Sequence, residues 1–545
     1  MWADAMSKEI GEMDGHESFK SMGKGAPIPE GFTMIRVHFV FDVKHDGRYK
    51  ARLVAGGHMT QVTTESSYSG VVSLRGQRIV VFIAELNNLE LYGTDIGNAY
   101  LESYTQEKVC FIAGPEFGDR EGHLMIIVKA QYGLRTSGAR WHDRLFDSLR
   151  DMQFVPSKAE DDIWMRDKGD HYEYISVYVD DLAIASRHAM GIIEELEKGQ
   201  GFKLKGTGPI TYHLGCDYKR DEDGTLAMGP VRYIERMAEG YERTYGTRPK
   251  LTYRSPLEPN DHPEIDDTPL LEVDGIKQYQ SMIGALQWCV TLGRIDIHSA
   301  VTTMSSFNAA PRQGHLERVK RMYGYLYKMR YGYNRVRTKQ PDYSDVPRLN
   351  YEWSHSVYYN ATKEKPKDAP TPKGNAVTHT AYFDANLYHN VITGKALTGI
   401  VHFLNQTMID CYSRKQATVE SATFGAKFIA GQTAIQQTKD IRTSLRYLGV
   451  PITEPTYMFG DNKSMITNGS VPHSKLGKRH LALAYHEVRQ AVASGMIVLT
   501  HVDGELNVAD IPSKHWSYQK IWPLLRPLLF WHGDTQDIPK QEKPD

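Results

Sequence analysis

Cysteine is scarce in these 545 residues: Cys110, Cys216, Cys289 and Cys411 stand far apart, and no C-x-x-C or Cys/His cluster occurs. That excludes a zinc finger, a zinc knuckle and a disulfide framework, and fits reduced thiols in an intracellular protein. Long apolar runs are missing as well, and none approaches the roughly 18 residues of a membrane span. The opening M-W-A-D-A-M-S-K-E-I has no basic segment followed by an apolar core, so no secretory signal is visible. Nor is there an excess of one charge, with 65 Lys/Arg against 66 Asp/Glu, which excludes binding nucleic acid through bulk positive charge alone. No Gly-rich phosphate loop and no repeat of fixed period is present. A soluble intracellular protein is expected.

What is there is a chain long enough, at 41% hydrophobic, to bury several cores. Met34–Lys44 alternates apolar and polar residues, H-D-G at His45–Gly47 offers a tight turn, and Tyr49–Gly57 resumes as a strand, giving a hairpin with basic residues on its exposed side. Arg78–Leu89 has helical spacing and leads into a strand, Leu91–Ile96. In Ala139–Met152, Trp141, Leu145, Phe146 and Leu149 share one helical face. A charged helix is expected near Ile192–Lys198, a hairpin turning at Asp221–Gly224, and mostly helix from Lys277 to Met329. Arg337–His379, with K-E-K-P-K-D-A-P-T-P-K-G inside it, reads as a linker. Short strands and one long helix follow it.

Chemistry is suggested first by Y-I-S-V-Y-V-D-D-L-A-I-A-S, Tyr174–Ser186. Two adjacent carboxylates between apolar runs repel each other and are costly to bury without a positive partner. A strand–turn–strand with Asp180–Asp181 at the turn projects both acids from its tip. In Y-G-T-D-I-G-N-A-Y-L, Asp95 falls where another strand gives way to a turn. Three carboxylates at neighbouring strand ends make a hard-oxygen site suited to Mg²⁺, and two such ions about 3.5–4 Å apart can drive phosphoryl transfer. Ordinary turn residues are the bland alternative.

Y-V-D-D resembles the palm motif of reverse transcriptases, and D-I-G-N-A-Y resembles the segment that supplies their other metal-binding acid. The ordered series Y-K-A-R-L-V-A, Q-Y-G-L-R-T-S-G-A-R-W, Y-V-D-D, Y-H-L-G, Y-Q-S-M-I-G-A-L-Q-W and R-I-D-I-H-S-A-V is similar to the polymerase of copia-type LTR retrotransposons, from Trp2 to about Lys514. The resemblance implies that Asp95, Asp180 and Asp181, with the backbone oxygen of Ile96, hold two Mg²⁺ ions, with Mn²⁺ as a substitute. It places Tyr100 under the incoming sugar, where a flat ring clashes with a 2′-hydroxyl; a packed core tyrosine is the alternative. Lys50 and Arg52 would neutralise the triphosphate, or merely line a solvated strand face. Tyr132, Gly133 and Arg135 would lie under the template–primer, and Tyr212, His213, Leu214 and Gly215 would grip the primer. The sequence departs from the family at Gly56-Gly57-His58, usually Lys-Gly-Phe or similar, and at Ser137-Gly138, commonly Ser-Pro. Both departures bear on substrate contacts and remove no metal ligand.

Beyond the linker, A-Y-F-D-A-N (Asp384), M-F-G-D-N-K-S (Asp461) and N-V-A-D-I-P-S-K (Asp510) suit a two-metal nuclease of RNase H type, and G-K-A-L-T-G, S-R-K-Q-A-T-V, H-S-K-L-G-K-R-H and Y-H-E-V-R follow the family order. The resemblance implies a metal site of Asp384, Asp461 and Asp510. Arg414, Lys415, Lys475, Lys478 and Arg479 would then track phosphates. The family's helix acid is missing: aligned without gaps it falls on Gly425, and the next family glutamate falls on Lys427. Glu420 is the nearby carboxylate. Either Glu420 reaches the metals from the preceding strand end as a catalytic acid, or the nuclease is weakened. His473, His480 and His486 fit phosphate contact or core packing better than a metal triad, although one of them is a candidate for the proton-shuttling histidine of such nucleases.

The resulting expectation is an α+β chain: a right-hand polymerase (fingers, palm, thumb), a connection segment and an α/β RNase H-like domain. Fingers and palm span 1–225, a mostly helical thumb and connection 226–336, a linker 337–379, the RNase H-like domain 380–515 and a tail 516–545. The expected function is RNA-directed DNA polymerase, acting on an RNA template, a DNA or RNA primer, RNA–DNA hybrid and dNTPs. It would work beside other polyprotein products, away from membranes, in cytoplasmic virus-like particles and in the nucleus. With no D-[ST]-G protease motif and no integrase Cys/His cluster, the chain reads as the C-terminal portion of a longer polyprotein or a truncated copy. The rival reading is a non-catalytic nucleic-acid-binding relic. A metal-dependent phosphodiesterase using the same acids leaves the fingers and primer-grip segments unexplained.

Overall fold

A computed structural model of the chain describes residues 1–43, 47–60, 67–347, 351–363 and 365–530. At its centre six antiparallel strands lie in the order Leu204–Pro209, Glu90–Ile96, Asp181–Ser186, Tyr172–Tyr178, Ile163–Asp167 and Val155–Pro156. Both faces of this sheet are covered, which is why its strands read as nearly unbroken apolar runs. Successive residues point to opposite faces. Tyr174, Ala183 and Ala185 meet the helix Leu74–Leu86 through Ile79, Val80 and Ile83. Ile175, Val177, Leu182 and Ile184 meet the helix Ser137–Asp151 through Trp141, Leu145 and Leu149. The helical face expected for Trp141, Leu145, Phe146 and Leu149 is buried in full.

The strands Val37–Val43 and Tyr49–Ala55 pair as the expected hairpin; His45 and Asp46 of its turn lie outside the described residues. A separate sheet orders Phe19–Lys24, His123–Ile127, Val109–Ile112 and Thr33–Met34. The helix Trp2–Gly15 sets Ile10 and Met13 into a core with Leu53, Ile35 and Phe111. After the central sheet, Tyr212–His213, Cys216–Arg220, Leu226–Gly229 and Asn334–Arg335 make a small four-stranded sheet. The helices Val231–Tyr245, Val273–Thr291, His298–Ser305 and Gln313–Lys328 follow its third strand.

The C-terminal sheet is ordered Thr407–Lys415, Leu397–Leu404, Val377–Asn386, Ile452–Gly460 and Ile497–His501. The first three strands are antiparallel and the last two join in parallel. The helix Thr423–Tyr447 packs on this sheet, with Phe428 and Ile435 against Phe383, Ile400 and Met458. Its far end, Ile441 and Leu445, enters the core beneath the central sheet. Among the described residues no helix is long and apolar enough to cross a membrane.

Three expectations change. The division between 225 and 226 runs through a hairpin, because Cys216–Arg220 pairs with Leu226–Gly229 around the turn at 221–225. The segment read as a tail contains a helix, Tyr518–Leu529, that buries Ile521, Leu524, Leu525 and Leu529 despite Pro523 and Pro527 within it. The helix expected at Ile192–Lys198 is an α-helix, Ala189–Glu194, that runs on into a wider π-type turn, Glu195–Gly199.

Candidate active site

Strand register brings Asp95, Asp180 and Asp181 together. Asp181 opens its strand directly opposite Asp95, and Tyr178 closes the same hairpin from the other side. The hairpin turn is therefore Val179–Asp180, one residue earlier than expected, with Asp181 already in the return strand. Val179 sits at φ +60°, an uncommon conformation for a β-branched residue. Two bonds hold it there: the Trp141 indole N–H donates to the Val179 carbonyl at 2.7 Å, and the Ile96 amide donates to the Asp180 carbonyl at 2.9 Å. Strained backbone fixed by its surroundings is characteristic of functional turns.

Burial, then Asp180, then Asp95 push the Asp181 carboxyl up to about 7. Burial and Asp95 raise Asp180 as well, while Lys50 and Arg52 pull the other way. Among the described residues no three His, Cys, Asp or Glu side chains stand gathered as a closed ligand set. The acids are nonetheless hard oxygen donors at adjoining strand ends, mutually repelling and half-buried, and that set fits divalent cations.

Beside them is a cavity of about 540 Å³ whose lining includes Lys50, Arg52, Asp95, Tyr100, Tyr132 and Lys205. Lys50 and Arg52 share a strand face because Ala51, Leu53 and Ala55 alternate into the core. The Tyr100 and Tyr132 rings meet edge-on with centroids 5.0 Å apart, and the Arg52 guanidinium lies 5.4 Å from the Tyr132 centroid. Burial, then Asp180, raises the Tyr100 hydroxyl, so the ring is a neutral wall. Lys205, unnoticed in the sequence, stands opposite Asp95 on the other side from Asp181. Its only sequence signal is a lysine in the strand that follows the charged helix.

Gly133, at φ +93°, is required by close packing: a Cβ there would meet the Ala55 carbonyl oxygen at 2.0 Å. Gly57 faces it in return, since its Cβ would lie 2.2 Å from the Gly133 oxygen, which explains the glycine that this chain shares with the family's Lys-Gly-Phe. Arg135 turns onto the backbone, donating to the Gly57 carbonyl at 2.9 Å, and so braces the loop after the hairpin. Leu214 and Gly215, both at positive φ, form a two-residue turn between His213 and Cys216. Tyr212 at this hairpin receives a 2.8 Å bond from Arg236, and His213 is buried and pushed down to about 4. Tyr212, His213, Asp95 and Asp181 line one small cleft of about 170 Å³, so this hairpin and the acids face the same space.

Residues 26–252 match the family model described as "Reverse transcriptase (RNA-dependent DNA polymerase)". The chain is 26% identical over 526 residues to the "Retrovirus-related Pol polyprotein from transposon RE1" of Arabidopsis thaliana, covering 94% of this chain and 32% of that protein. It is 28% identical over 243 residues to a putative transposon Ty5-1 protein of Saccharomyces cerevisiae, covering 43% of this chain and 76% of that one. Residues 26–252 are a reverse transcriptase region of the copia type. The chain spans about a third of the length of the Arabidopsis relatives. A foamy viral protease–reverse transcriptase solved with double-stranded DNA aligns over 92% of this chain and 69% of its own, at 12% identity and a TM-score of 0.46.

Downstream of the reverse transcriptase region, Asp384 in the strand Val377–Asn386, Asp461 just after Ile452–Gly460 and Asp510 at the start of a short helix, Asp510–Ser513, are brought together by lysines. Lys427 Nζ lies 2.9 Å from Asp384 Oδ1 and also pairs with Asp461. Lys514 Nζ lies 3.2 Å from Asp384 Oδ2 and pairs with Asp510. Burial works to raise the Asp384 carboxyl, but Lys514 and Lys427 hold it well below the usual range; burial and Asp384 push Asp510 up to about 6.

Glu420 is held elsewhere. Its carboxylate, 1% exposed, bonds His480 Nε2 at 3.0 and 3.1 Å and lies 3.7 Å from Lys478 Nζ. It also fills the space beside Gly425, where a Cβ would meet Glu420 Oε2 at 2.0 Å. Of the two alternatives for Glu420, this pairing bears on the one in which it reaches the metals, since its carboxylate is held by His480. The three histidines are not gathered either: His486 bonds the Tyr358 hydroxyl at 2.6 Å, while His480 serves Glu420. Of the basic residues expected to track phosphates, Arg414, Lys475 and Arg479 are exposed, while Lys415 bonds Ser306 Oγ at 2.7 Å.

Proposed function

We propose that this chain is an RNA-directed DNA polymerase that extends a primer on an RNA template from dNTPs. The observation that carries the reading is the register pairing of Asp181 with Asp95, beside a cavity walled by Lys50, Arg52 and Tyr100. Asp95, Asp180 and Asp181, with the Ile96 backbone oxygen, would hold two Mg²⁺ ions, with Mn²⁺ as a substitute; these would activate the primer 3′-hydroxyl and neutralise the departing pyrophosphate. Lys50 and Arg52 receive the triphosphate oxygens. Tyr100 closes the sugar side against a 2′-hydroxyl, and Tyr212 with the Leu214–Gly215 turn seats the primer end. Tyr132 lies under the nascent pair, positioned by the packing of Gly133 on Ala55.

The division into fingers and palm, helical thumb, linker and RNase H-like domain stands with this reading, shifted past the hairpin at 216–229 and extended to include the helix Tyr518–Leu529. Of the two nuclease readings, the weakened one is supported by Glu420 pairing with His480. Work inside a cell beside other products of a longer polyprotein, in cytoplasmic particles or in the nucleus, follows from the kind of relative the chain matches. The test is extension of oligo(dT) on poly(rA) with Mg²⁺, wild type beside Asp180→Asn. Extension by the wild type alone is expected; a folded wild type that binds the hybrid and extends nothing would return the chain to the relic reading.

A further inference from the structure

The C-terminal acids were expected to hold two divalent cations, and their surroundings do not fit that role. Two aspartates of such a site are already bridged by an ammonium group, because Lys427 touches both Asp384 and Asp461. Asp384 is wholly buried, and its second oxygen is taken by Lys514 and by the Ser513 hydroxyl, which donates at 2.8 Å. A divalent cation entering between Asp384 and Asp461 would lie against a fixed positive charge, a repulsion that grows as water is excluded. The position that would supply a further carboxylate, Gly425, has no room for one, since Glu420 fills that space and is tied to His480. Two separate observations, the bridging lysine and the filled pocket at Gly425, agree, while the buried Asp384 Oδ1 meets Lys427 as an ion pair without a formed hydrogen bond.

We propose that Lys427 has replaced the metal: its ammonium group joins Asp384 to Asp461, and the C-terminal domain is a non-hydrolytic buttress for the polymerase. This rests on reading that domain as nuclease-like and goes past a weakened ligand set to an exchanged one. The buttressing contacts are built in. The Tyr174 hydroxyl, on the strand leading to Asp180, donates to the Leu448 carbonyl at 2.7 Å. Arg78 of the helix Leu74–Leu86 donates to the Ile409 carbonyl at 3.3 Å, and Arg75 pairs with Asp440 at 2.6 Å. Ile441, Leu445 and Leu448 share a core with Tyr172, Tyr174 and Ala183.

The test uses the full chain carrying Asp95→Asn, Asp180→Asn and Asp181→Asn, so that the proposed polymerase acids contribute no cation binding. Cleavage of the RNA strand of a labelled RNA–DNA hybrid, in Mg²⁺ or Mn²⁺, is expected to be no greater than when Asp384→Asn is added; cleavage that Asp384→Asn abolishes overturns the proposal. On the same background the melting midpoint is expected to be indifferent to Mg²⁺ against EDTA. Lys427→Met should lower that midpoint by several degrees in EDTA and make it rise with Mg²⁺, while Lys427→Arg should keep the original midpoint and its indifference. A Lys427→Met chain that melts as its parent and gains no Mg²⁺ dependence also overturns the proposal. With Asp95, Asp180 and Asp181 intact, primer extension by Lys427→Met reports on the polymerase reading separately, because Lys427 pairs with Asp384 and Asp461 and with none of its residues.

Discussion

At the scale of single residues the proposed polymerase site is a problem in charge. Asp181 takes its proton at about 7 in the metal-free protein, against 3.8 for an unperturbed aspartate. The sign follows directly: the folded state binds the extra proton between those values, so this contribution to stability is full below about 4 and is lost as the pH rises through 7. In EDTA the melting midpoint should therefore fall between about pH 4 and pH 7 and level off above it, and Asp181→Asn should flatten that fall. Mg²⁺ binding must displace the same proton, so apparent affinity should weaken up to about tenfold per unit of pH below 7. Extension by Asp180→Asn should drop by more than the roughly 10–100-fold that loss of an outer-shell partner costs a metal site. Tyr100→Val should raise ribonucleotide incorporation relative to deoxyribonucleotide by about 10–200-fold, the range that one small group's worth of pocket exclusion supports. Competitive single-nucleotide extension measures it, and an unchanged ratio would assign Tyr100 to packing alone.

At the scale of elements, the sheet and the helices that cover it could be read from residue order, because period-two burial on both faces leaves a continuous apolar strand. The acids were found for the same reason, since Asp180 and Asp181 interrupt such a run. The turn itself was placed one residue late. A β-branched residue at positive φ is what local propensity rejects, and only the bonds from Trp141 and Ile96, distant in sequence, hold Val179 there. Two internal prolines disguised the helix Tyr518–Leu529 as a tail, although four of its residues are buried. The lysine partners of the aspartates were not visible because Lys427–Asp384, Lys427–Asp461 and Lys514–Asp384 join elements far apart in the chain, and a lysine carries no mark of its partner. Gly133 belongs to this scale too: Gly133→Ala would press a methyl onto the Ala55 carbonyl at positive φ. It should cost about 1–3 kcal/mol by urea unfolding and raise the KM for dNTP, because the strand bearing Lys50 and Arg52 is anchored there.

At the scale of the whole molecule, the C-terminal sheet has one apolar core of its own, around Phe383, Phe428 and Met458, and shares two others with the rest of the chain. Val401, Phe403 and Met408 share a core with the helices Val273–Thr291 and Gln313–Lys328, and Ile441 and Leu445 share one with the central sheet. A chain ending at residue 375 would expose both patches to water. Each large aliphatic side chain so exposed forfeits about 1.5–3 kcal/mol, so that truncation should be insoluble or melt far below the full chain. A 1–375 product that is soluble, melts as the full chain does and extends primers would show that the two parts stand alone.

The helix Thr423–Tyr447 has its beginning and its end in different company: Lys427 near the start faces Asp384 and Asp461, while Ile441 and Leu445 near the end lie under the polymerase sheet. A substitution in the first turns of this helix therefore reaches the lysine–aspartate cluster, whereas one at Ile441 or Leu445 reaches the core shared with the central sheet, so a single helix carries two independent reports of what the chain tolerates.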